Sequence, residues 1–243
     1  MSEPSSGRLT GRIALVTGAS RGIGAAVAQA YGREGAQLVL VARTVGGLEE
    51  VDDKVRSQGG LPSVLVPLDL ADGEGIDRMG GALYERFGKL DVLVGNAGIL
   101  GSLTPTGHIQ PKDWQRALDV NVTANWRLIR SLDPLLRQSE AGRAIFVTTA
   151  ATQSNTAYWT TYTTSKAALE ALVLCWAAEL NKTAVRANLL DPGIIRTTMR
   201  ARAFPSEDPA TLPAPESLDE AFLRLALPDW EKNGARLIAA DLL

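Results

Sequence analysis

Short apolar runs alternate with amphipathic stretches along most of this chain. Ile13-Ala14-Leu15-Val16 is a buried-strand pattern that runs into a glycine-rich turn, and Gly22 to Glu34 then has helical periodicity, closed by Gly35. Gln37 to Val41 is a second strand, followed by a helical stretch around Leu48 to Ser57. Ser63 to Pro67 gives a third strand, Gly73 to Phe87 a helix ending at Gly88, and Asp91 to Gly95 a fourth strand. A longer helix is predicted from about Lys112 to Leu136, with a break near Pro134. Ala144 to Thr148 is the fifth strand, Tyr158 to Asn181 the next helix, and Val185 to Leu190 the sixth strand. Leu237-Ile238-Ala239-Ala240 suits a short last strand. Near-continuous apolar strands separated by helices predict a mostly parallel sheet covered on both faces. Right-handed crossovers make it a doubly wound α/β sheet.

No repeat or long linker divides the 243 residues, so residues 1–243 are expected to form a single domain. The one compositional change is Ala201 to Ser217, which holds Pro205, Pro209, Pro213 and Pro215. Proline density disfavours helix, and the segment leaves the carboxyl end of the sixth strand, where ligands bind in such sheets. Residues 198–217 are therefore expected to be a substrate-side loop or lid.

Composition narrows the function classes. The chain is 45% hydrophobic and 21% charged with a formal net charge of −2, and no basic stripe stands out. Nucleic acid is not an expected partner. The polar stretch Met1 to Arg12 lacks the apolar segment of a secretory signal. The longest apolar segment, Ala167 to Leu180, is interrupted by Glu170 and Glu179, and its leucines and Trp176 fall at helical spacing. It predicts a core-facing helix rather than a membrane span, and a cytoplasmic setting is the default. Cys175 is the only cysteine and His108, in an apparent loop, the only histidine. No intrachain disulfide and no metal site are expected.

The first strand is followed by Thr17-Gly18-Ala19-Ser20-Arg21-Gly22-Ile23-Gly24. Gly18 permits the tight turn, Gly22 a close backbone approach to a pyrophosphate, and Gly24 close packing of helix on sheet. The helix that starts near Gly22 points free N–H groups and its positive end at the phosphates. The spacing Thr-Gly-x-x-x-Gly-x-Gly resembles that of the short-chain dehydrogenase/reductase family, and the resemblance runs from about Arg12 to Thr197. It implies a Rossmann fold that holds a dinucleotide through Gly18, Ser20, Arg21, Gly22, Ile23 and Gly24.

The second strand ends Val41-Ala42-Arg43, with Ala42 where NAD-specific folds place an acidic residue on the ribose 2′-OH. An arginine there can pair with a 2′-phosphate, and Arg21 offers a second guanidinium, so NADP(H) is favoured over NAD(H). The resemblance further implies that Asp69, with Leu70, meets the adenine ring, and that Asn96, Ala97 and Gly98 lie beside the adenosine. The family usually carries Asn where this chain has Gly95.

Tyr162-Thr163-Thr164-Ser165-Lys166 sets a phenol and an ammonium on one helix face. A free tyrosine has a pKa near ~10, and a nearby cation lowers it toward working pH, which suits proton exchange with a substrate oxygen. The resemblance implies that Tyr162 is the general acid/base and that Lys166 also holds the nicotinamide ribose. Thr149 stands where the family has serine, and its hydroxyl can still meet the substrate oxygen. Asn121 matches the asparagine that holds a water linking Lys166 to solvent. Asp191-Pro192-Gly193-Ile194 resembles the turn beside nicotinamide, with Ile195 and Thr197 near carboxamide and phosphates.

The reading is an NADP-dependent oxidoreductase that moves a hydride between nicotinamide and a ketone, aldehyde or secondary alcohol. Its partner would be a small carbonyl or alcohol molecule. A non-catalytic, NADP-sensing protein on the same fold is the alternative. An epimerase or dehydratase would need more chain after Gly193 for a sugar-nucleotide domain. Trp114, Trp126, Trp159 and Trp176 cluster on the two helices that pair subunits in the family; each could equally be intrachain core, and the resemblance implies a homo-oligomer, dimer or tetramer. The last strand lacks the family's usual glycine pair.

Overall fold

A computed structural model describes residues 7–243. Among them, seven strands form one sheet in the order β3-β2-β1-β4-β5-β6-β7, and all six pairings are parallel. The strands are β1 (Ile13–Thr17), β2 (Gln37–Ala42), β3 (Val64–Pro67), β4 (Val92–Gly95), β5 (Arg143–Val147), β6 (Arg186–Asp191) and β7 (Arg236–Ile238). The helices are α1 (Gly22–Arg33), α2 (Val45–Ser57), α3 (Gly73–Phe87), α4 (Pro111–Leu118), α5 (Ala124–Leu136), α6 (Ala151–Ser154), α7 (Thr160–Glu179), α8 (Thr198–Ala203) and α9 (Asp219–Ala226).

Alternate strand residues feed two cores. Ala14, Val16, Leu38, Leu40, Val92, Val94 and Ile145 pack with α1, α2 and α9 on one face. Leu15, Val39, Val41, Leu93, Ala144 and Phe146 pack with α3, α5 and α7 on the other. Side chains of period two on strands buried on both faces require this, and it yields the predicted doubly wound sheet. Strand order reverses between β1 and β4, which opens a crevice at their carboxyl ends.

Three expectations need correction. The helical stretch after Lys112 does not break near Pro134, which sits inside the last turn of α5, where only the bond to the carbonyl of Arg130 is forgone. The interruption lies upstream, in a π-helical turn over Asp119–Thr123 that closes with Ala124 N–H on the carbonyl of Asp119. One extra residue in that turn carries Val120 and Asn121 into the interior. The helix expected from Tyr158 begins at Thr160, because Tyr158 has a left-handed backbone, φ +71°. The segment expected as proline-rich loop contains α8, which finishes before Pro205, and Pro209 and Pro215 then open two short 3₁₀ turns, a position that needs no N–H.

Trp176 belongs to the core: its ring meets Phe146 edge-on at 6.3 Å and its Nε1 donates to Asp133 at 3.2 Å. Trp126 is exposed on α5, beneath the guanidiniums of Arg127 and Arg130. His108 lies exposed in a single 3₁₀ turn, Thr106–His108, in accord with the sequence reading.

The Gly95 departure has a packing cause. A Cβ at that position would come within 2.4 Å of the Phe146 ring and 3.0 Å of Asn125 Oδ1. Gly95→Asn is therefore expected to destabilise the fold by about 1–3 kcal/mol. Combined with Phe146→Val it should cost less than the two singles summed. Denaturant midpoints read both effects, and an unchanged midpoint for the single variant contradicts the packing argument.

Candidate active site

The crevice is built around one hydroxyl. Thr17 Oγ1 donates to the carbonyl of Val94 at 3.1 Å and accepts the N–H groups of Asn96 and Ala97 at 3.0 and 3.1 Å. Asn96 Nδ2 in turn donates to the carbonyls of Thr17 and Gly18 at 2.9 and 3.4 Å. These bonds lock the end of β1 to the end of β4 and fix the glycine-rich turn. Gly18 turns with φ +65°, and a Cβ on Gly24 would lie 2.3 Å from the Gly18 carbonyl oxygen. Only glycine lets α1 start so close to the strand it leaves. Ser20 sits against α2, where a Cβ on Gly47 would meet its Cβ at 2.9 Å. Ile23 packs on the α1-side core.

Arg21, the extended residue ahead of α1, and Arg43, just past β2, are exposed and form no ion pair among the described residues. Asp69, after β3, receives the Ala71 N–H at 3.0 Å and both its oxygens take Arg116 Nη2 of α4, at 3.0 and 2.7 Å. Partial burial works to raise the Asp69 pKa, but the bonds from Ala71 and Arg116 and the charge of Arg43 bring it below the usual range. Leu70 turns its side chain into the core.

Tyr162, Lys166 and Thr149 come together at the carboxyl end of β5. Tyr162 is 8% exposed, with Trp159 edge-on at 5.9 Å, and Trp159 in turn lies 5.7 Å from Phe204 just past α8. Burial pushes the phenol up to about 12, the side chain of Thr149 pulls it back, and the charge of Asp191 adds to the rise. Lys166 is also buried; its Nζ donates to the carbonyl of Val147 at 2.8 Å, and burial brings it down to about 8 against the opposing pull of Glu170. The expected lowering of the Tyr162 pKa by its neighbour is therefore corrected: the ammonium is engaged by a carbonyl, and desolvation outweighs it.

Asn121 is fully buried. Its Oδ1 takes the N–H of Ile99 at 2.8 Å, and its Nδ2 donates to the carbonyl of Ile99 and to Ser165 Oγ, both at 2.9 Å. It thus joins the chain after β4 to α7. Gly98 lies between the two groups, since a Cβ there would be 3.3 Å from Asn121 Oδ1 and 3.4 Å from Lys166 Nζ. The carbonyl of Asn121 accepts Asn125 Nδ2 at 2.8 Å, and no direct bond joins Asn121 to Lys166 among the described residues.

At the end of β6, Asp191 Oδ1 takes the N–H of Gly193 at 3.0 Å, which fixes the turn through Pro192. Ile195 is buried in the core, and Thr197 caps α8 by accepting Arg200 N–H at 3.2 Å. Thr197 also reaches the start of α1: a Cβ on Gly22 would lie 3.6 Å from its methyl group. Sequence reasoning missed Arg116, Glu170 and Arg236. Glu170 could have been found as the next turn of the Tyr162–Lys166 face. Arg236 could not, because its partner Thr149 is 87 positions away.

The cradle at Gly18 and Gly24, the open amino end of α1 and the exposed guanidiniums of Arg21 and Arg43 fit a dinucleotide phosphate. Residues 12–208 match the model of the short chain dehydrogenase family. The chain is 35% identical over 225 residues to the uncharacterized Escherichia coli oxidoreductase YciK, spanning 92% of this chain and 89% of that one. A Pseudomonas syringae structure described as a short chain dehydrogenase superposes with a TM-score of 0.93 at 40% identity and 98% coverage of both chains. An Escherichia coli short chain dehydrogenase complexed with NADPH superposes with a TM-score of 0.93 at 35% identity, over 97% of this chain and 99% of that one. No helix among the described residues is long and apolar enough to cross a membrane. With its fold, its phosphate turn and its Tyr-x-x-x-Lys helix accounted for, this chain belongs to the short-chain dehydrogenase/reductase family of oxidoreductases.

Proposed function

We propose that the protein is an NADP(H)-dependent reductase of a ketone or aldehyde, and in reverse an oxidant of a secondary alcohol, with Tyr162 as general acid/base. The observation that carries this reading is the meeting of Tyr162, Thr149 and Lys166 beside the crevice whose floor is the amino end of α1. Gly18, Ser20, Arg21, Gly22, Ile23 and Gly24 would hold the pyrophosphate. Arg43 and Arg21 would take the 2′-phosphate, while Asp69 and Leu70 would border the adenine and Asn96, Ala97 and Gly98 the adenosine. Pro192, Gly193, Ile195 and Thr197 would flank the nicotinamide. That ring, when bound, supplies or accepts the hydride.

Everything else falls to side chains. Thr149 orients the substrate oxygen by a hydrogen bond, and Tyr162 donates its proton to that oxygen as negative charge develops. A phenol held near 12 is fully protonated at neutral pH and so is set for the reductive direction. Lys166 would bind the ribose hydroxyls and return a proton through water held near Asn121. Residues 198–217 act as the lid, with Phe204 against Trp159 and Arg200 tied to Glu207 at 2.6 and 2.7 Å. Opening of that aromatic stack would admit substrate to Tyr162. Exposed Ala171, Leu174, Cys175 and Ala178 on α7, with Trp126 on α5, support pairing of two copies. A cytoplasmic setting remains our expectation.

The burial of Tyr162 also favours a second reading, an NADP-sensing protein without turnover. Steady NADPH oxidation with any member of a ketone and aldehyde panel separates the two, and its absence across the panel removes the enzymatic one. Tyr162→Phe is expected to lower turnover by about 10²–10⁴-fold while NADPH affinity, read by fluorescence titration, stays near wild type. Full activity in that variant defeats the assignment. Arg43→Asp should weaken NADPH binding on the order of 10- to 100-fold, through loss of a charge-assisted bond, and leave NADH binding unharmed. Equal loss for both cofactors contradicts the 2′-phosphate role. Because reduction needs the phenol protonated and Lys166 charged, its kcat/KM should hold level through neutral pH and fall above about 8, where Lys166 loses its proton. A profile that stays level to about pH 10 would show another group in control.

A further inference from the structure

Arg236, on the last strand, gathers three segments of the site around one guanidinium. Its Nε donates to Glu170 Oε1 at 3.1 Å; its Nη2 donates to the main-chain carbonyl of Thr149 at 2.9 Å and to Asp191 Oδ2 at 3.2 Å. The three partners belong to α7, the end of β5 and the end of β6. Glu170 stands one helical turn beyond Lys166 on the same face of α7. Its Oε1 also accepts the hydroxyls of Thr148 at 2.5 Å and Thr152 at 3.1 Å. The ion pairs are largely sheltered, with side-chain exposures of 20% for Arg236, 17% for Glu170 and 6% for Asp191. Pairs so placed are screened far less than surface ones.

Thr149 needs such an anchor. The ladder between β5 and β6 ends when Thr148 N–H meets the carbonyl of Leu190 at 2.8 Å. Beyond it, the other bonds on the Thr149 backbone come from Thr152, three residues away, and its Oγ1 takes the N–H of Ala151 at 3.2 Å. Arg236 supplies the one bond to that backbone from a distant element among the described residues. At Asp191, which ends β6 and pairs with β7, one carboxylate oxygen accepts the neighbouring Gly193 N–H, and the other is held by Arg236.

We propose that Arg236 is a positioning residue, which fixes the Thr149 hydroxyl and the Asp191–Gly193 turn against the Lys166 face of α7 by bridging Glu170, the Thr149 carbonyl and Asp191. The inference rests on the reading of Thr149 as the substrate-orienting group. Lysine cannot take its place fully. A single ammonium can pair with Glu170 but lacks the planar fork that reaches Thr149 and Asp191 as well.

The test compares wild type, Arg236→Lys and Arg236→Met, each as the full chain. Three readouts are needed: melting temperature, amide hydrogen exchange with and without NADPH, and kcat and KM for a carbonyl compound that wild type reduces. In both variants the amides of Ala151 and Gly193 should exchange faster, on the order of 10- to 100-fold, while those of β1 and β4 do not change. Turnover should fall roughly 10- to 100-fold with KM little altered, as expected when a reacting group is misplaced while substrate affinity is kept. Arg236→Lys should keep the wild-type melting temperature and still show both defects. Recovery of exchange and kcat in Arg236→Lys overturns the proposal, as does a loss of activity that only follows the folded fraction. If Arg236→Met does not fold, Arg236→Lys decides alone. If wild type reduces no carbonyl compound, the functional reading fails by itself, and the exchange data still decide whether Arg236 holds these two turns.

Discussion

The structure depends on the hydroxyl of Thr17. One oxygen donates to the carbonyl of Val94 and accepts two N–H groups from the chain that follows β4. Strand order reverses between β1 and β4, so from their adjacent carboxyl ends the chain leaves toward opposite faces of the sheet. Without a tie across that gap the crevice would have no fixed width. Asn96 extends the tie onto the glycine-rich turn, and Gly24 brings α1 against it. Phosphate-binding geometry is thus set by bonds among protein groups, and the free N–H donors of α1 are aimed before any ligand arrives.

The reactive end of the crevice is governed by desolvation. A phenol and an ammonium are both taken out of water, and burial disfavours the charged form of each. The phenol pKa rises and the ammonium pKa falls, so the two groups do not form a simple ion pair. A buried tyrosine that keeps its proton is suited to donate it to a developing alkoxide. Glu170 moderates the cost of a buried lysine and is itself held by Arg236, so the charge balance of the site reaches as far as β7.

Packing explains why position 95 carries glycine. Phe146 occupies the space above Gly95, and Asn125 approaches the same point, so an asparagine side chain has no room there. The π-helical turn between α4 and α5 carries Asn121 inward to bond Ile99 and Ser165, which fastens the loop after β4 to α7. Thr148, next to Thr149, is turned the other way and donates its hydroxyl to Glu170.

Much of this was written locally in the chain. The period of apolar residues determined six strands and most helices, because a strand buried on both faces must be apolar throughout and a covering helix must carry one apolar stripe. Glycines at 18, 22 and 24 determined the phosphate turn, since backbone freedom and lack of a Cβ belong to the residue itself. The spacing of Tyr162 and Lys166 determined that both share a helix face. What came only with the tertiary structure was the outcome of contacts between distant segments. The break expected near Pro134 did not form because that proline falls in the last turn of α5, and the helix is instead interrupted by a π-helical turn whose Asn121 meets distant partners. The pKa of Tyr162 rose because desolvation depends on everything packed around it. Arg116 on Asp69 and Arg236 on Thr149 join residues 47 and 87 positions apart, and no local pattern encodes such a meeting.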